Sequence, residues 1–79
     1  MEIESFSQSL GQAFKQRRLV LQLTHEIVAE KSGMNVNYYA RIERGEINTS
    51  LEKILAISSA LDCAPSVLFV QAEKINSDM

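Results

Sequence analysis

Apolar residues recur along this chain at three- and four-residue spacing, the pattern of helices that bury one face. Over Phe6 to Leu21 the stripe is Phe6, Leu10, Phe14 and Leu21, with Arg18 on the same side. Thr24 can cap a second helix reaching about Ser32, with Ile27 and Val28 predicted inward, and Gly33 breaks it. Asn35 can cap a third helix that runs to about Arg44, carries Tyr39 and Ile42 at helical spacing and ends at Gly45, which tolerates a left-handed backbone. Thr49-Ser50-Leu51-Glu52 matches a capping box and opens a fourth helix, for which the spacing predicts burial of Leu51, Ile54, Leu55, Ile57 and Leu61. Ser58 falls on that stripe, where its hydroxyl can bond back to the carbonyl of Ile54. Pro65 suits the first position of a short fifth helix with Val67, Leu68, Phe69 and Val70, and the polar tail from Lys74 is expected to fray. The pattern predicts an all-α fold of five helices, one domain over residues 1–79 with its core within about 6–72.

Composition narrows the function. With 79 residues there is no room for a second core, and a domain this small gains from oligomerisation. The 46% apolar content, with one Pro and three Gly, fits a compact helical globule. The single Cys63 cannot form an internal disulfide and is expected to pack as a small apolar residue. One His and one Cys supply neither a metal cluster nor a nucleophile with an orienting third group, so no enzyme, metal or cofactor is expected. The N-terminal stretch lacks the basic and apolar regions of a signal peptide, and no apolar run approaches the roughly 18 residues needed to span a bilayer. A cytoplasmic protein without membrane contact is the expectation.

The segment from Thr24 to Gly45 is a short helix, a glycine-centred turn and a second helix, the spacing of a helix-turn-helix. Ala29 is small where two helices approach, and Gly33 follows four positions later. The outward side of the second helix carries Asn37, Tyr38 and Arg41, and Val36 stands at its start. Arg41 could pair with guanine, Asn37 with adenine, and Val36 could touch a thymine methyl; the plainer alternative is a solvated helix face. A net charge of −2 counts against a nucleic-acid binder until its distribution is read. Residues 1–23 hold three bases against two acids, residues 24–49 three against four, and residues 50–79 two against four. The acidic excess therefore lies toward the C-terminal end, away from the reading helix. Arg18 and Glu43 both sit on inward helix faces, where each needs a partner if buried, and pairing them is the economical solution; the alternative is that both stems snorkel to water.

From Leu10-Gly11 through Phe69 the sequence resembles the XRE family of phage-repressor-like, Cro-like helix-turn-helix transcription regulators. The resemblance rests on Leu23-Thr24-His25-Glu26, Ala29 with Gly33, Arg41-Ile42-Glu43-Arg44-Gly45, Asn48-Thr49-Ser50-Leu51, and Ala60-Leu61 with Leu68-Phe69. It implies a five-helix domain whose third helix enters the major groove of double-stranded DNA, commonly as a homodimer on a palindrome. It also implies that Arg18 and Glu43 form the family's interhelical salt bridge and that Tyr39 replaces an aliphatic core residue. Backbone contacts are expected from Thr24, His25, Asn35, Arg44, Asn48 and Lys53. Two positions depart from the pattern: His25 stands where many members carry Gln, and Val36 where many carry a polar reader. Chains of this size resemble the controller proteins of restriction-modification systems and small phage regulators, and RNA polymerase is a further candidate partner. Val67, Leu68, Phe69 and Val70 are four consecutive apolar residues that one helix cannot all turn inward, so a dimer interface is expected there. A rival reading gives that patch to a protein partner, as in an antitoxin bound to its toxin.

Overall fold

The computed structural model describes residues 2–78; Met1 and Met79, at the ends of the expected domain, lie outside the described residues. Five helices follow one another: α1 Ile3–Val20, α2 His25–Ser32, α3 Val36–Glu43, α4 Leu51–Ala60 and α5 Pro65–Ser77. Among the described residues there is no strand. The all-α expectation holds. Helix α1 lies between α3 and α5, while α2 rests on α3 and α4, and the core where they meet is built from Leu10, Phe14, Val28, Tyr39, Ile57, Leu61 and Leu68 with smaller residues between them.

The helix ends follow from local chemistry. Thr24 Oγ1 accepts from the Ile27 N–H at 3.1 Å, and Asn35 Oδ1 accepts from the Asn37 N–H at 2.8 Å, each satisfying an amide that the first helical turn leaves free. Gly33 ends α2 at φ 72°, and the Met34 N–H donates to the Ala29 carbonyl at 2.8 Å, so the chain reverses within three residues and α3 starts at once. Helix α4 begins one residue later than the capping box predicts: Ser50, not Thr49, accepts from the Lys53 N–H.

The first and last helices are longer than expected. Helix α1 starts at Ile3 rather than Phe6, and α5 continues to Ser77 rather than fraying at Lys74. The reason is mutual. Ser5 Oγ donates to Asn76 Oδ1 at 2.7 Å, the Phe6 and Phe69 rings stack at 5.8 Å, and Gln71 Nε2 donates to Gln16 Oε1 at 2.9 Å, so each terminal helix holds the other. Arg17 adds a second tie, donating to the Leu61 and Asp62 carbonyls at the end of α4, both at 2.9 Å.

Three burial expectations are corrected. Ile27 is exposed, because only the arc of α2 that includes Val28 and Ala29 meets the core. Leu51 and Leu55 are exposed on α4, which buries the narrower stripe of Ile54, Ile57, Ser58 and Leu61. The Ser58 hydroxyl donates to the Leu55 carbonyl at 2.9 Å, three residues back rather than four.

Candidate nucleic-acid interface

Helix α3 has two faces of different chemistry. Tyr39, Ile42 and Glu43 point inward and are buried, while Asn37 and Arg41, one helical turn apart, are exposed on the opposite side. Tyr38 and Val36 sit at the edge, half-buried against the core, and Lys53 on α4 places Nζ 5.2 Å from the centre of the Tyr38 ring. Of the four residues expected to read bases, Asn37 and Arg41 are thus presented to solvent and Val36 and Tyr38 contribute only their outer edges.

The inward face fixes how α3 is held. Arg18 on α1 donates through Nε to Glu43 Oε2 at 2.8 Å and through a terminal nitrogen to Oε1 at 3.2 Å, and its other terminal nitrogen donates to the Leu23 carbonyl at 3.0 Å. Both side chains are buried, so the expected salt bridge forms and neither stem snorkels to water. Burial by itself would push the Glu43 carboxyl up, but the Arg18 bonds, helped by Tyr39 and His25, hold it below the usual carboxylate range. Those same bonds raise Arg18 against the opposing effect of burial. Burial, reinforced by the neighbouring carboxylate, pushes the Tyr39 phenol up; its hydroxyl has no hydrogen bond of good geometry among the described residues. Gly11 lets α1 approach this closely. A Cβ there would sit 2.4 Å from the Glu43 carbonyl oxygen.

The residues expected to touch the DNA backbone are distributed around α3. Thr24 and Asn35 are exposed, each with its acceptor oxygen committed to a helix cap. His25 is turned partly inward: Nε2 lies 3.1 Å from Glu43 Oε1, so one of its two ring nitrogens is already engaged within the protein. Asn48 Oδ1 accepts from Ser7 Oγ at 2.6 Å, which ties the α3–α4 loop to α1. Arg44 donates to Glu46 Oε2, and Arg41 Nε lies 3.5 Å from Oε1 of the same carboxylate. Glu46 therefore spans both arginines, and the Arg44 bond lowers its carboxyl below the usual range. Sequence reasoning missed it, although an acid two positions beyond Arg44 was visible as a charge alternation. His25 and Arg44 share a groove of about 450 Å³ between α1 and α3 with Gln8, Gln12 and Lys15. Those three also went unremarked; their spacing at positions 8, 12 and 15 is that of one outward face of α1.

The four apolar residues of α5 separate. Leu68 is buried in the core and so cannot serve the expected interface, while Phe69 is half-buried and stacked on Phe6. Val67 and Val70 are exposed, and with Val20 of α1 they line one apolar groove. Cys63 is a half-buried free thiol. Among the described residues no cluster of His, Cys, Asp or Glu could hold a metal ion, and no single helix is long and apolar enough to cross a membrane.

Comparison with known proteins agrees with the fold. The helix-turn-helix family model matches residues 14–68. The restriction-modification controller protein C.AhdI from Aeromonas hydrophila is 36% identical over 77% of this chain and 92% of its own, with a TM-score of 0.76. The clp gene regulator ClgR from Corynebacterium glutamicum is 25% identical over 87% of this chain and 90% of its own, with a TM-score of 0.85. No curated protein matches the chain.

Proposed function

The chain belongs to the XRE-type helix-turn-helix family of DNA-binding transcription regulators, and on that premise we propose that it binds a palindromic operator as a homodimer, with α3 of each protomer in the major groove. The observation that carries this reading is the division of α3. Its inner side is locked to α1 by the Arg18–Glu43 pair, and its outer side offers Asn37 and Arg41. A side chain that must pair with a base edge needs a backbone that does not shift, and a buried bidentate ion pair directly behind it supplies that. Arg41 matches guanine and Asn37 matches adenine by donor and acceptor pattern. Thr24, Asn35, Arg44, Asn48 and Lys53 then set the register through phosphates.

The homodimer forms through the exposed Val67 and Val70 with Val20, a face that a symmetric copy would cover. Regulation acts by competition or contact with RNA polymerase in the cytoplasm. The likeness to C.AhdI makes control of a restriction-modification operon the favoured setting. Selection of bound duplexes from a random pool tests the reading. The expected result is an inverted repeat with half-sites about one helical turn apart; no enrichment above input would overturn it.

A further inference from the structure

The His25 ring is placed so that its protonation state decides what its outer nitrogen can bind. Glu43 is ionised beside Arg18, and an ionised carboxylate accepts hydrogen bonds but cannot donate one. The His25 Nε2, 3.1 Å from Glu43 Oε1, must therefore carry its hydrogen. In a neutral ring the other nitrogen, Nδ1, is then a bare lone pair. Nδ1 has no partner among the described residues and is not buried, and the side chain opens on the groove between α1 and α3. Lys15, Arg44 and Gln12 in that groove suit an anion, yet a neutral His25 would turn an acceptor toward it. Only the imidazolium donates in both directions at once.

We propose that binding of duplex DNA takes up one proton per protomer at His25, whose imidazolium then bridges Glu43 through Nε2–H and a backbone phosphate through Nδ1–H. The proposal rests on the reading of the chain as a DNA-binding protein. The charged and titratable groups around the ring are Arg18 and Lys15 from α1, Glu43, Tyr39 and Arg44 from α3 and its end, and Glu26 on its own helix. A phosphate arriving in the groove adds negative charge on the open side, where only a protonated Nδ1 can donate to it while Nε2–H stays on Glu43. Binding and protonation are then linked, and each strengthens the other. An amide at this position could not titrate, so the linkage depends on the imidazole itself.

The test uses the full chain and the duplex enriched from a random pool. Calorimetry in two buffers of different ionisation enthalpy should show net proton uptake, at most one per protomer, and affinity should fall by up to about tenfold per protomer for each pH unit across the range where imidazoles change charge. The variant His25→Gln, whose amide can still bridge carboxylate and phosphate, should bind with a pH-independent affinity and no uptake. Because this is the only histidine in the chain, nitrogen NMR of the free protein reads its tautomer directly, and Nε2–H is the expected form. Tight binding with no proton uptake, uptake that persists in His25→Gln, or the Nδ1–H tautomer in the free protein would overturn the proposal while leaving DNA binding intact. Failure to bind any duplex at any pH would instead remove the reading beneath it.

Discussion

At the residue scale, the Arg18–Glu43 pair and the Arg41–Glu46 contact look alike as ion pairs and differ in consequence. The first is buried and bidentate, so removing one partner leaves an uncompensated charge in the interior. Arg18→Ala should destabilise the fold by about 3–5 kcal/mol, and a double-mutant cycle with Glu43→Gln in urea unfolding should show coupling between them. The same pair sets an acid limit. The Glu43 carboxyl is lowered on folding, so its contribution is complete above the ordinary carboxylate value of about 4.3 and is lost as the pH falls through its lower folded value. Unfolding midpoints followed from pH 6 to pH 2 should decline over that window in the wild type more than in Glu43→Gln. Around Glu46, by contrast, both arginines are exposed, and if they meet DNA as proposed the carboxylate would compete for them. Arg41→Ala should weaken specific binding by about 1–3 kcal/mol per half-site and relax one base preference. Glu46→Gln should tighten binding several-fold in a mobility-shift titration, with little change in melting temperature.

At the element scale, two glycines do different work on either side of α3. Gly33 needs a left-handed backbone but has open space where a side chain would go, whereas Gly11 has an ordinary helical backbone and no space at all. Gly33→Ala should therefore cost only the strain of a positive φ, about 1 kcal/mol. Gly11→Ala must push α1 off the end of α3 and should cost about 1–3 kcal/mol or more, with reduced DNA affinity because the Arg18–Glu43 geometry opens. Thermal melts of the two variants give the order. The sequence made one of these plain and not the other. Gly33 announces itself by following a periodic run and preceding a capping Asn35, which is local information. The crowding at Gly11 depends on a carbonyl 32 residues away and leaves no mark in its own neighbourhood. The same distinction separates what was legible at the site. The caps at Thr24 and Asn35, the inward Tyr39 and the Arg18–Glu43 pair followed from helical phase. The inward turn of His25, the exposure of Leu51 and Leu55 and the extended ends of α1 and α5 depend on which helix lies opposite, and periodicity does not encode that.

At the scale of the whole molecule, the face around Val67 and Val70 is the one proposed to join two protomers. Both are about half exposed, at 54% and 50%, so a charge there should leave the monomer folded. Sedimentation is expected to show a dimer at micromolar concentration, and Val67→Glu with Val70→Glu should shift it to monomer and weaken DNA binding, since each protomer alone neutralises half the phosphates. A stable monomer that binds a palindrome cooperatively would move the interface onto the DNA. The pairing of α1 with α5 has a consequence for how the protein comes into being. During translation α1 emerges well before α5, so Phe6 has no ring to stack on until Phe69 has left the ribosome and Ser5 no acceptor in α5 until Asn76 has followed. The side of the first helix that α5 covers then stays open while the other helices are made. Closure of the seam between the two terminal helices is thereby the step that waits for α5, whatever the other helices have already formed among themselves.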